Sequence, residues 1–169
     1  MLSIVGTSGS GKTTLIEKLI PELKRRGYRI GTIKHTHHPC DVDRRGKDTA
    51  RHKIAGAETV ILASRNRISL VKDMPCDALD QLMPYMTDLD LVITEGYKRE
   101  NKPKIEVIRG ETGKAPLYDG HPDFIALVSD TDIDAAVPVF DPDDAPTIAD
   151  FIETCFLRGS TIQSSIGGI

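Results

Sequence analysis

No apolar run in the sequence approaches the ~18–20 residues that a membrane span needs, so no span is expected. Cysteine is scarce. Cys40, Cys76 and Cys155 lie far apart and are odd in number, which argues against a disulfide framework and makes a reducing cytoplasm the expected compartment. Positive charge is not in excess either: a formal net charge of -3 gives no basis for nonspecific binding to nucleic acid or to an anionic membrane. Repeats and linker-like stretches are missing, and a functional loop beginning at Gly6 argues against a signal peptide. What is left, 39% hydrophobic and 28% charged over 169 residues, has the composition of a globular chain with a substantial core.

The stretch that organises this chain is Gly6, Thr7, Ser8, Gly9, Ser10, Gly11, Lys12, Thr13 and Thr14, which fits the Walker A pattern at every fixed position. Leu2 to Val5 before it suits a buried parallel strand, and Leu15, Ile16, Leu19, Ile20 and Leu23 after it recur at helical spacing. Strand, glycine loop and helix is the order that phosphate binding needs. Glycines let the backbone wrap an anion, amide N–H groups and the helix N-terminus receive its charge, and Lys12 reaches the terminal phosphates. The Thr13 hydroxyl is then placed to ligand magnesium.

The first helix is predicted over 12–26, with Lys24, Arg25 and Arg26 in its last turn, Gly27 as its stop and a kink at Pro21. After a strand over 28–34 comes the polar segment 34–48. Its His35, His37, His38 and Cys40 have the side chains of metal ligands, but their spacing matches no closed zinc motif. A polar loop that contacts a ligand is the other reading. Asp41 and Asp43 lie where the acidic loop of a P-loop domain approaches magnesium and the attacking water; an exposed acidic turn stands beside that. A helix over 48–57 follows, and Arg44, Arg45, Lys47, Arg51 and Lys53 form a basic face able to meet an anionic partner.

Strands over 59–63 and 67–71 are joined too tightly for a parallel crossover, which predicts an antiparallel hairpin and so a mixed sheet. A helix is expected over 76–86, with Leu79, Leu82, Met83 and Met86 inward. The apolar strand in 90–96 ends in Glu95, a Walker B pattern whose carboxylate can hold magnesium directly or through water. Strands over 105–109, 124–128 and 137–140 and a helix over 146–157 close the fold. Asp130 stands where guanine-specific P-loop proteins carry [NT]-K-x-D, though only the acid remains. The elements predict an α/β fold, a P-loop NTPase-like three-layer sandwich with a mostly parallel, mixed sheet. One domain is expected over 1–157, with a Ser/Gly-rich tail at 158–169.

Three segments together narrow the reading: GTSGSGKTTLIEKLIPELKRRGYRIGTIKHTHH, then DVDRRGKDTARHKIAGA, then LVITEGYK followed by PKIEVIR. They resemble the molybdopterin-guanine dinucleotide biosynthesis protein B (MobB) family over about residues 1–130. The distinctive parts are Lys34 to His38 and Glu95 to Lys98. The resemblance implies a dimeric GTP-binding adapter with weak GTPase activity, acting beside the guanylyltransferase that attaches GMP to molybdopterin. It puts the phosphate loop on Gly6 to Thr14, the magnesium-side acids on Asp43 and Glu95 beside Thr13, and the base-side acid on Asp130. Lys12 and Asp43 would then carry the slow hydrolysis. Two other readings stay open: a small-molecule kinase, although no arginine-bearing lid segment stands out, and a metallochaperone GTPase working through the histidine loop.

Overall fold

The computed structural model describes residues 1–36, 46–74 and 78–158. Of the residues singled out above, His37, His38, Cys40, Asp41, Asp43, Arg44, Arg45, Cys76 and the tail from 159 lie outside them. In chain order the elements begin with β1 (Leu2–Val5), α1 (Lys12–Arg25), β2 (Ile30–Lys34) and α2 (Asp48–Ile54). The hairpin strands β3 (Thr59–Ser64) and β4 (Arg67–Lys72) come next, then β5 (Leu91–Glu95), β6 (Lys104–Ile108) and β7 (Phe124–Ser129). Last are β8 (Val139–Phe140) and α3 (Ala145–Phe156). Residues 1–35 and 85–158 form one compact unit; the described residues between 36 and 84 form another.

The first unit is built on a six-stranded sheet in the order β2-β5-β1-β6-β7-β8, parallel at every pairing. The antiparallel pair expected inside a mixed sheet is a separate two-stranded sheet, β3 with β4, in the second unit. Side chains alternate across a strand, and here the two faces differ in chemistry. Leu2 and Ile4, Leu91 and Ile93, Ile105 and Val107, and Ala126 and Val128 share one buried apolar cluster with α1 and α3. The alternate positions include Ser3, Thr94, Lys104, Glu106 and Ser129, all buried and polar. Hydrogen bonds offset the cost of burying them. Thr94 donates to the Ser3 hydroxyl at 2.9 Å, and Lys104 pairs with Asp123 at 3.0 Å. Glu106 accepts the backbone N–H groups of Leu117 and Tyr118 at 2.7 and 2.8 Å. Burial raises its carboxyl above the ordinary range, against the pull of those two donors. Glu106 therefore anchors the β6–β7 connection to the middle of the sheet.

Helix α1 buries Leu15, Ile16, Leu19 and Leu23 and runs through Pro21. Its end follows from Gly27, at φ +95°, a left-handed position that favours glycine. The Gly27 N–H donates to Lys24 and the Tyr28 N–H to Leu23, a Schellman closure. Arg26 then ties α1 to α3, donating to Glu22, to Asp150 at 2.6 Å and to Glu153 at 2.8 Å. At the start of α3 the Asp144 side chain accepts from the Thr147 N–H at 3.1 Å, an N-cap.

In the second unit β3 and β4 pair in register from Thr59↔Lys72 to Ser64↔Arg67. The helix expected over 76–86 is not formed by the described residues there. Two 3₁₀ turns, Leu79–Gln81 and Met83–Tyr85, stand in its place. Pro84 has no N–H to return to the preceding turn, so an α-helical ladder is interrupted at that position. The i→i+3 bonds from Gln81 to Ala78 and from Leu82 to Leu79 still bury Leu79.

Candidate nucleotide site

Residues 6–11 link the C-terminal end of β1 to the first turn of α1. Gly6 (φ +143°), Gly9 (φ +84°) and Gly11 (φ +91°) all take left-handed or mirror-region angles, so the turn bends as L side chains rarely allow. Lys12 folds back over the loop, its ammonium donating to the Thr7 carbonyl at 2.7 Å. Thr13 and Thr14 open the helix, and no acidic residue lies in that first turn to compete with an anion.

Glu95 comes to the loop because β5 lies beside β1. Ile4 and Glu95 are register partners on one side, Lys34 and Glu95 on the other. The Thr13 hydroxyl donates to both carboxylate oxygens of Glu95, at 3.0 and 3.1 Å, and the Lys34 ammonium stands 3.5 Å from one of them. The two distinctive sequence segments therefore meet. The His35 N–H donates to the Glu95 carbonyl, and the His35 and Tyr97 rings lie 4.5 Å apart at 37°. Tyr97, at φ +53°, is the one non-glycine residue with positive φ among the described residues. That strain sits directly after the Glu95-Gly96 turn.

Electrostatics favour an anion at the loop. Burial is the largest influence on Lys12 and lowers its pKa; Glu95 raises it, while Lys98, Lys34 and Lys114 lower it further. Three further ammonium groups and one carboxylate thus act on the Lys12 ammonium. Oxygen donors from Thr13 and Glu95 fit magnesium, which keeps several waters and shares itself with substrate phosphates rather than filling an all-protein cage. Among the described residues no three His, Cys, Asp or Glu side chains gather into a metal cluster. The histidine loop lies largely outside them.

Asp130, just past β7, points its carboxylate at the neighbouring connection. It accepts the Gly110 N–H at 2.8 Å and an Arg109 guanidinium N–H at 3.4 Å. The Gly110 N–H, followed by Arg109, holds its pKa below the usual carboxylate range. A carboxylate offers about four acceptor positions, so two partners leave room for more. Arg109 itself was not marked by any sequence pattern. Its Nε lies 3.4 Å from where a Cβ on Gly11 would stand, beside the loop. Lys114, from the same connection, donates to the Ser8 carbonyl at 3.2 Å. Only their position directly after a strand that pairs with β1 could have pointed to them.

A glycine loop leading from the central strand of a parallel sheet into a helix, with an acid at the end of the next strand, defines a P-loop NTPase-like α/β protein. The family described as molybdopterin guanine dinucleotide synthesis protein B matches residues 1–130. A molybdopterin-guanine dinucleotide biosynthesis adapter protein of Haemophilus influenzae is 44% identical over 156 residues, covering 90% of this chain and 87% of the relative. The protein of the same description from Escherichia coli is 41% identical over 160 residues, covering 90% of each. A crystal structure of molybdopterin-guanine biosynthesis protein B superposes with a TM-score of 0.73 at 32% identity, covering 92% of this chain and 97% of that one. The chain belongs to the MobB family.

Proposed function

We propose that this protein binds GTP and Mg²⁺ at the glycine loop and serves as an adapter in molybdopterin guanine dinucleotide formation, beside a molybdopterin guanylyltransferase and its molybdopterin substrate. The observation that carries the nucleotide reading is the Thr13–Glu95 pair at 3.0 Å, across the loop from a lysine already folded over it. The adapter role rests on family membership. In this reading the amides of residues 6–14 and Lys12 hold the phosphates. Thr13 and Glu95, with Asp43, would hold magnesium, whose charge would offset that of the terminal phosphates. Asp43 would also orient water, and Asp130 is the acid at the base side.

Titration calorimetry with GTP and ATP, with and without magnesium, tests the site. Glu95→Gln keeps the shape of the carboxylate and removes the charge a hard cation prefers. Magnesium-dependent GTP affinity is expected to fall about tenfold, magnesium-free affinity by less than about threefold. A variant with the wild-type magnesium response would remove Glu95 from the site.

A homodimer is part of the same reading. In the second unit, Ile61 opposite Leu70 and Ala63 opposite Ile68 share one face of the hairpin, and Ile61, Leu70 and Ile68 are 57%, 40% and 71% exposed. A two-stranded hairpin with an apolar face is marginal in water and gains from cover. Light scattering should give twice the 18.5 kDa of one chain. A mass of one chain at every concentration would rule the dimer out.

A further inference from the structure

We propose that Lys114 is a second phosphate ligand of the glycine loop, a cation supplied by the same chain to the terminal phosphate of a bound nucleoside triphosphate. The inference rests on the nucleotide reading above and adds a residue that no motif carries. Lys12 donates to the Thr7 carbonyl and Lys114 to the next carbonyl, Ser8, so two ammonium groups occupy consecutive positions on one rim of the loop. The P-loop lysine reaches the β- and γ-phosphates while the loop N–H groups cradle the α- and β-phosphates, and Lys114 holds the carbonyl next to the one that Lys12 holds. Lys114 therefore stands at the terminal end. Two like charges held this close repel, and Lys12 feels it: Lys114 is among the cations that lower its pKa. An anion between them converts that repulsion into two attractions.

Lys114 is exposed, but the backbone that carries it is pinned on both sides. Upstream, Asp130 holds the Gly110 N–H, and a 3₁₀ turn over Gly110–Thr112 follows, closed by the Gly113 N–H donating to Gly110. Downstream, the buried Glu106 carboxylate holds the Leu117 and Tyr118 N–H groups. Four residues beyond Gly110 and three before Leu117, the Lys114 ammonium reaches back over the loop. Asp130 and Glu106 are positioning residues in this scheme, and Arg109 stands by Gly11 on the same connection.

The test compares GTP and GDP affinity in magnesium for wild type, Lys12→Ala, Lys114→Ala and Lys114→Arg, with the fold of each checked by circular dichroism. For Lys114→Ala, GTP affinity should fall about ten- to a hundredfold and GDP affinity less than about threefold, the size of one lost charge-assisted contact. Lys114→Arg should recover most of the GTP affinity, since it restores the charge. If wild type binds GTP and Lys12→Ala does not, while Lys114→Ala binds both nucleotides as wild type does, Lys114 is a surface lysine and the proposal falls. Equal losses for GTP and GDP would also overturn its placement at the terminal phosphate. A wild type that binds neither nucleotide would instead defeat the reading on which it rests.

Discussion

Replacing Gly6 with alanine is expected to cost about 3–5 kcal/mol of stability, the largest effect on folding of any change in the loop. A Cβ built there falls well inside 3.0 Å of the Val107 carbonyl oxygen and 2.7 Å from the Ser10 hydroxyl. Val107 is a buried residue of a strand bonded on both sides, so its backbone cannot give way. The φ of +143° adds strain for any L side chain. Strain of about 1–3 kcal/mol and overpacking of similar size together make up the figure. It is a large share of the 5–15 kcal/mol that holds a typical domain together. Gly9→Ala is the control. Its φ of +84° is also strained, but no atom lies within 4 Å of the new methyl. Urea unfolding should therefore separate the two by about 2 kcal/mol. A Gly6→Ala protein within about 1 kcal/mol of wild type would mean that the loop does not press on β6 as described.

Lys12→Ala should do the opposite, leaving the fold intact while removing nucleotide affinity. Its ammonium makes one bond, to the Thr7 carbonyl; burial first, and then three other lysines, disfavour its charge against the pull of Glu95. Deleting it relieves repulsion as it gives up that bond, so stability should stay within about 1 kcal/mol of wild type. Affinity for GTP should drop by about 10²–10⁴, since each contact from a charged donor to a phosphate is worth about 1.5–3 kcal/mol and two phosphates are served. Equilibrium binding of a fluorescent GTP analogue, alongside thermal unfolding, gives both readouts. A folded variant with unchanged affinity would end the P-loop assignment.

Local chemistry made much of this architecture legible in the chain. The loop declared itself because its spacing is fixed by the anion it wraps, and α1 ended where Gly27 said it would. Glu95 could be picked out because it caps an apolar run, and the closing helix differs from its expected bounds by one residue at each end. The failures are of two kinds. Over 76–86 the apolar spacing fits a helix, and only the missing N–H of Pro84 argues otherwise. The strand order is nonlocal: nothing in the residues of β2 states that β5 will separate it from β1. Lys114 and Arg109 were missed for the same reason, since they reach the loop across the sheet rather than along the chain. The buried Glu106 read as an ordinary strand residue, because its partners are backbone N–H groups that carry no sequence signature.

Strands β5, β1 and β6 lie side by side, and each delivers one arm of the site from its C-terminal end: Glu95, the loop with Lys12, and the connection bearing Arg109 and Lys114. Neighbouring strands are spaced at about 4.8 Å by their hydrogen bonds. The distances between the arms are thus inherited from a ladder that is either formed or not. Damage to the core beneath should then act as a threshold: a weakened variant would hold ligand with full strength while folded and lose molecules, rather than grip, as it warms.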